Sequence, residues 1–266
     1  REIDRVELVR IEVPKSEWEA AFESIDTDVR DAMVVAAAQI RSFHEKQKRT
    51  SWIDFGAEGA LGQIIRPLER IGVYAPGGTA VYPSSLLMTA VPGRVAGVEE
   101  IVVASPPGPN GISPLILAAA HVAEVDRVVQ VGGAQAIAAL AYGTESVPRV
   151  DKIFGPGNIF VVLAKRQVFG QVAIDQLPGP TETVVVADAS ADPRLTAADM
   201  LAQAEHDGMA SAILITTSER LSMLVQTELT LQVAQLDRES IARESLAANG
   251  VIAVVSTVEE AIDLAN

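Results

Sequence analysis

The segment Gln203-Ala204-Glu205-His206 carries side chains that can bind a metal ion. The amide oxygen of Gln203 and an imidazole nitrogen of His206 are both possible zinc ligands. Because two ligands cannot complete a zinc site, the others must come from elsewhere. The alternative interpretation is that His206 is a structural histidine near the C-terminus of a helix.

Three glycine-rich turns each follow a short β-rich run, where backbone N–H groups could approach a phosphate. They are Gly77-Gly78 after Tyr74, Gly132-Gly133 just before Gln135, and Gly155-Pro156-Gly157 just before Asn158. Each can also be an ordinary β–α turn, and Asn158 can serve as a helix cap. The G-x-G-x-x-G fingerprint does not occur, which leaves a standard dinucleotide-binding motif unsupported. The shared position at strand ends still predicts one common crevice.

Hydrophobic periodicity predicts the elements that position these residues. Amphipathic helices are expected at 15–25 and 27–48, and a further helix from Asp192 to Gly208 would place Gln203 and His206 on one face. Beyond Pro67, β-rich runs alternate with helical stretches, which is typical of a parallel, doubly wound α/β sheet. The predicted strands are 71–74, 101–104, 127–131, 152–154, 183–187, 212–216 and 251–255, and the predicted helices between or after them include 85–91, 113–123, 134–141 and 258–265.

Composition narrows the class of protein. The 266 residues have a net charge of −14 and are 48% apolar, without cysteine. This apolar fraction excludes a disordered chain, and the negative charge argues against nucleic-acid binding. The lack of cysteine excludes disulfides and thiolate ligands. With no apolar run of roughly 20 residues, no membrane span is predicted. We therefore expect a cytoplasmic α/β protein.

Taken in order along the chain, these segments resemble the histidinol dehydrogenase family. The resemblance covers nearly all of the sequence and is carried by GVYAPGG at 72–78, VGGAQAIAALAYGT at 131–144, VDKIFGPGN at 150–158, AID at 173–175, GPTE at 179–182 and QAEH at 203–206. The run FHEKQ at 43–47 is also similar to the N-terminal helices of the family.

The resemblance implies a zinc-dependent enzyme that oxidises L-histidinol to L-histidine through the aldehyde and reduces two NAD. The matching positions for NAD contacts are Tyr74, Gln135 and Asn158. Those for substrate contacts are Thr181, Gln203 and His206, of which Gln203 and His206 would also bind zinc. Thr181 stands where the family often has serine, so the hydroxyl is kept and a methyl group is added.

The resemblance also implies residues that this chain does not contain. The family's Glu-His pair for acid–base catalysis is expected beyond Asn266, so no catalytic residue is assigned here and the chain alone is expected to be inactive. A homodimer with a shared active site is implied. Two Rossmann-like domains are expected, one formed by residues 1–73 and 181–266 and the other by 74–180, with a crossing at 175–180.

Two other hypotheses stay open. The chain could belong to a different NAD-linked alcohol or aldehyde dehydrogenase on a similar scaffold. It could also be a truncated, non-enzymatic remnant that only binds a ligand or forms a dimer. A measurement of histidinol turnover distinguishes a different NAD-linked dehydrogenase from histidinol dehydrogenase.

Overall fold

The computed structural model describes residue 8 and residues 10–77, 81–177 and 181–266. The described residues up to Leu177 form one compact unit, and those from Thr181 onward form a second. The division lies within the predicted crossing at 175–180; Gly78 and residues 178–180 lie outside the described residues. None of the helices in the described ranges is long and apolar enough to cross a membrane.

The helices and strands follow the predicted alternation closely. In the described ranges the helices are α1 Lys15–Ser24, α2 Thr27–Glu45, α3 Pro83–Ala96, α4 Pro114–Val122, α5 Gly133–Tyr142, α6 Ile159–Val168, α7 Pro193–Ala204, α8 Glu219–Val233, α9 Glu239–Asn249 and α10 Val258–Ala265. The strands there are β1 Glu12–Val13, β2 Trp52–Gly56, β3 Gly59–Gln63, β4 Arg70–Tyr74, β5 Glu100–Ala104, β6 Arg127–Val129, β7 Lys152–Phe154, β8 Ala173–Ile174, β9 Glu182–Ala187, β10 Ser211–Thr216 and β11 Val251–Val254.

The main sheet of the first unit has the strand order β1-β6-β5-β4-β7-β8 among its described residues. All neighbouring strands are parallel except β1, which pairs antiparallel with β6. The chain builds outward from β4 through β5 to β6 and then returns to the other side of β4 with β7. This reversal makes the sheet doubly wound, as the sequence predicted.

Strand β5 shows why the sheet is covered on both faces. Ile101 and Val103 belong to the core formed with α3 and α4, whereas Val102 and Ala104 belong to the core formed with α5 and α6. Successive side chains of a strand point to opposite faces, so a strand with no polar face must be covered twice. This places α3 and α4 on one side of the sheet and α5 and α6 on the other.

The two N-terminal helices lie in the first unit. Helix α1 packs against α4 and α2 packs mainly against α3. Their apolar stripes supply Trp18, Met33 and Ala37 to the α3–α4 core, where each is buried. Residues 1–73 were expected to group with 181–266. Helices α1 and α2 lie in the first unit instead, because their apolar stripes pack on the outer surface of α3 and α4.

Strands β2 and β3 form an antiparallel hairpin that the sequence did not predict. Trp52 pairs with Gln63 at its open end, and every residue of both strands is exposed. Because neither face of the hairpin is buried, its sequence lacks the alternation of polar and apolar residues that marks a strand.

The second unit contains the parallel strands β9, β10 and β11, in that spatial order within the described residues. Helix α7 packs on β9, β10 and α8. The core is built from side chains such as Met200, Leu214 and Val225. The prediction of a second α/β domain is confirmed, although its strand order does not reverse within the residues that the structure describes.

Candidate functional site

The carboxyl ends of β4 and β7 lie side by side at the point where the strand order reverses. The helix that follows β4, α3, covers one face of the sheet, and the helix that follows β7, α6, covers the other. Adjacent strands whose connections leave in opposite directions create a crevice, and ligands of open α/β sheets bind there. Tyr74 ends β4 and Gly155 follows β7 directly.

Tyr74 contacts both of the neighbouring glycine turns. Its side chain is 4% exposed, and its hydroxyl accepts a hydrogen bond from the Gly133 N–H at 3.0 Å. Its carbonyl lies against Gly155, where an added Cβ would come within 2.1 Å of the Tyr74 oxygen. Gly155 also has φ +109°, a conformation that side chains disfavour. A glycine is therefore required at this position.

Gln135 lies in the first turn of α5, where unpaired backbone N–H groups face the crevice edge of the sheet. It is the third residue of the helix and is exposed. Gly132 precedes the helix and approaches Pro106 so closely that an added Cβ would be 2.5 Å from the Pro106 side chain. This close contact places the start of α5 next to the end of the sheet.

Asn158 caps α6, which was one of the two interpretations of this residue. Its Oδ1 accepts hydrogen bonds from the N–H groups of Phe160 and Val161, both at 3.1 Å. Capping satisfies donors that the helix leaves unpaired. The cap uses Oδ1 alone, so capping and a ligand contact through the amide nitrogen are compatible.

An ion pair between the buried Lys165 and the partly exposed side chain of Asp175, behind the Gly155 turn, was not predicted from the sequence. The Lys165 ammonium pairs with Asp175 and donates to the Gly155 carbonyl at 2.9 Å, while Asp175 Oδ2 accepts from the Gly155 N–H at 2.8 Å. Lys165 shares the buried face of α6 with Val161 and Val168. The sequence signal that could have revealed this ion pair is a lysine on the otherwise apolar face of a helix.

In the second unit, Gln203 joins the end of α7 to the segment that enters β9. Its Nε2 donates to the Thr181 carbonyl at 2.9 Å, and its Oε1 accepts from the Thr183 hydroxyl at 2.8 Å. The structure therefore brings the predicted residues Thr181 and Gln203 together. These two hydrogen bonds give the Gln203 amide a structural role, in addition to any contact that it makes with a ligand.

His206 does not lie on the helix that the sequence predicted for it. Helix α7 begins at Pro193 as expected, with Asp192 as its cap, but ends at Ala204, so the expected end at Gly208 is wrong. His206 is an exposed turn residue whose N–H donates to the Gln203 carbonyl at 3.1 Å. Asp207 accepts from the Met209 N–H and turns the chain away from the helix. The shared helical face is thus replaced by a turn.

The described residues of the second unit do not form a complete metal site. Within the described ranges no three His, Cys, Asp or Glu side chains are grouped so that they could hold a metal ion. The Gln203 carbonyl keeps a lone pair beyond its bond to Thr183, since an amide oxygen accepts twice. The geometry of Gln203 is therefore compatible with one further contact to a ligand.

Shifted pKa values belong to residues outside these clusters. The Ser190 hydroxyl and N–H donate to Asp188 and lower its pKa. The hydrogen bond to Glu12 raises the pKa of Arg127, which joins β1 to β6. His121 lies in α4, and its ring centroid is 5.0 Å from that of Phe22.

A doubly wound sheet with glycine turns at its switch point defines a protein of the Rossmann-like α/β class. Within that class, the chain belongs to the histidinol dehydrogenase family, whose sequence model matches residues 1–266. It is 53% identical over 266 residues to histidinol dehydrogenase from Lactiplantibacillus plantarum, which covers 100% of this chain and 62% of that protein. The chain thus spans about three fifths of the length of this relative.

Solved structures agree with this assignment. The chain is similar to the crystal structure of histidinol dehydrogenase from Elizabethkingia anophelis, with a TM-score of 0.92 and 37% identity, covering 100% of this chain and 62% of that one. An acetylating aldehyde dehydrogenase from Geobacillus thermoglucosidasius is similar in fold alone, with a TM-score of 0.58 and 15% identity over 94% of this chain and 68% of that one.

Proposed function

We propose that the protein to which this chain belongs oxidises L-histidinol to L-histidine through the aldehyde, using two NAD. The observation that carries the proposal is the match of the histidinol dehydrogenase family along residues 1–266. The doubly wound sheet supports it, because dehydrogenases of this class bind nicotinamide cofactors at such a switch point.

The first unit is the proposed NAD-binding part. The close approach of Gly155 to the Tyr74 carbonyl leaves no side chain above the turn, and the first turn of α5 offers backbone N–H groups for phosphate. We assign the NAD contacts to Tyr74, Gln135 and Asn158. NAD supplies the hydride acceptor when it is bound. The residues of this chain hold and orient it.

The second unit is the proposed substrate and zinc part. Thr181, Gln203 and His206 are assigned to the substrate, and Gln203 and His206 to two of the zinc ligands. A bound zinc ion would polarise the substrate oxygen. Gln203 presents its carbonyl in a fixed orientation, because both ends of its amide are held by Thr181 and Thr183. We also propose that other residues of the protein supply the remaining zinc ligands. The same proposal includes a homodimer with a shared active site and a cytoplasmic location.

The test is the stoichiometry of NADH formation by a purified protein of the relatives' full length that contains these residues. With limiting L-histidinol we expect two NADH per substrate molecule and L-histidine as the product. Simple primary alcohols and aldehydes serve as control substrates. Turnover of the controls without turnover of histidinol would favour a different NAD-linked dehydrogenase. No turnover of any of them would favour a non-enzymatic role.

A further inference from the structure

We propose that Lys165 and Asp175 are positioning residues for the cofactor, acting through Gly155 at the switch point. This inference rests on the proposed NAD-binding function of the first unit. It concerns residues that lie beneath the crevice and are not among the proposed NAD contacts.

Both polar backbone groups of Gly155 are held by this one pair. Asp175 Oδ2 accepts from the Gly155 N–H at 2.8 Å, and Lys165 Nζ donates to the Gly155 carbonyl at 2.9 Å. The peptide planes on either side of Gly155 are therefore fixed by side chains that come from α6 and from the end of β8. The left-handed conformation of Gly155, with φ +109°, is maintained from both sides.

Stability alone does not explain a lysine at this position. Lys165 is 1% exposed, and taking an ammonium group out of water is costly even when it is paired. An apolar side chain beside Val161 and Val168 would fill the same space at no such cost. What an apolar side chain cannot do is hold the Gly155 carbonyl. The buried charge is thus explained by the turn that it orients.

The turn that Gly155 begins leads straight to the proposed cofactor contacts. Asn158 follows three residues later and caps α6. Gly155 itself lies against the carbonyl of Tyr74. A rotation of the Gly155 peptide would therefore displace the backbone nearest the crevice together with Asn158. Loss of the pair should weaken NAD binding more than it disturbs the remainder of the unit.

A second ion pair in the same unit provides a matched control. Arg94 pairs with Asp126, which accepts a hydrogen bond from the Ile101 N–H at 2.7 Å. The arrangement is similar, but Ile101 lies near the start of β5, at the opposite edge of the sheet from Gly155. Arg94→Met removes this pair together with the hydrogen bonds that Arg94 donates to the carbonyls of Val98, Glu99 and Glu124. It therefore perturbs the unit at least as much as Lys165→Met without touching the crevice.

The experiment measures NAD affinity by calorimetry for a protein of the relatives' full length that contains these residues, and for its variants Lys165→Met, Asp175→Asn and Arg94→Met. We expect Kd for NAD to rise about tenfold in the first two, as for loss of a charged hydrogen bond, and to stay unchanged in the third. Thermal unfolding of each variant reports stability separately. Asp175→Asn, which keeps the side-chain shape, carries the test if Lys165→Met does not fold.

The outcomes separate this inference from the function on which it rests. A wild-type chain that binds no NAD would overturn the proposed cofactor site and the positioning role with it. A wild-type chain that binds NAD, with unchanged Kd in both pair variants, would overturn the positioning role alone. An equal loss of affinity in Arg94→Met would do the same, because it would show a general effect of lost stability.

Discussion

The hydroxyl of Tyr74 lies 3.0 Å from the backbone nitrogen of Gly133 and accepts its hydrogen bond. One side chain at the end of β4 thereby satisfies an N–H group at the start of α5, the helix that follows β6, and β6 lies two strands away from β4 in the sheet. Tyr74 therefore links the end of β4 to the start of α5 beside the proposed cofactor crevice.

Replacing Tyr74 with phenylalanine should loosen the start of α5. The Gly133 N–H would lose its acceptor, so we expect the free energy of unfolding to fall by about 1 kcal/mol and NAD affinity to fall as well. Tyr142→Phe is the control, because Tyr142 is 59% exposed at the far end of the same helix. Urea unfolding and NAD titration measure the two effects. Unchanged values for Tyr74→Phe would show that this hydrogen bond is dispensable.

Two substitutions of Asn158 should separate its cap from its proposed cofactor contact. Asn158→Ala removes the cap and should cost about 1 kcal/mol of stability, whereas Asn158→Asp keeps an acceptor for Phe160 and Val161. Both should weaken NAD binding, since aspartate lacks the amide donor and repels phosphate. Ser218→Ala, which removes the cap of α8 in the second unit, should leave NAD titrations unchanged. Wild-type NAD affinity in Asn158→Asp would mean that Asn158 only caps α6.

Alanine at Gly155 should be far more damaging than alanine at Gly170. Both glycines have positive φ, but an added Cβ meets the Tyr74 carbonyl at 2.1 Å in the first and nothing within 4 Å in the second. Gly170→Ala should therefore cost about 1 kcal/mol from backbone strain alone. Gly155→Ala adds overpacking and should cost about 3 kcal/mol or more. Chemical denaturation compares the two, and similar losses would contradict the close contact.

Zinc retention should depend on His206 and not on Glu205. In a protein of the relatives' full length, His206→Asn replaces an imidazole ligand with a weaker amide, so zinc should be lost on dialysis. Glu205→Gln should retain zinc, because Glu205 is outside the proposed ligand set. Elemental analysis after dialysis gives the metal content. Full zinc in His206→Asn, or equal losses in both variants, would make His206 a structural residue.

The alternating strands and helices of the first unit were predictable because each is strongly apolar and ends at a turn residue. In that unit the strand at 152–154 matches the structure at both ends, and in the second unit so does the helix at 258–265. The β2–β3 hairpin could not be predicted in the same way, because apolar residues recur at a regular spacing only where one face of an element is buried. The end of α7 was missed because Glu205 and His206 continue the helical pattern, while the Asp207 turn that stops the helix is a local side-chain effect.

The candidate site was less accessible to sequence reasoning than the fold. The glycine turns could be placed at strand ends, and the Asn158 cap was foreseen. The support from Lys165 and Asp175 was not, because these residues are ten apart in the chain and their pairing arises only when β8 lies beside β7. The link from Gln203 to Thr181 likewise depends on the packing of α7 against β9.

The contrast between buried Trp18 and exposed Trp52 has a spectroscopic consequence. The chain has two tryptophans, and both belong to the first unit. Trp18 is 3% exposed and Trp52 is 54% exposed. Intrinsic fluorescence should therefore combine a blue-shifted and a red-shifted emission, of which acrylamide quenches mainly the second. Loss of this pattern would report unfolding of the first unit, whereas far-ultraviolet circular dichroism would also record the loss of the helices among residues 181–266.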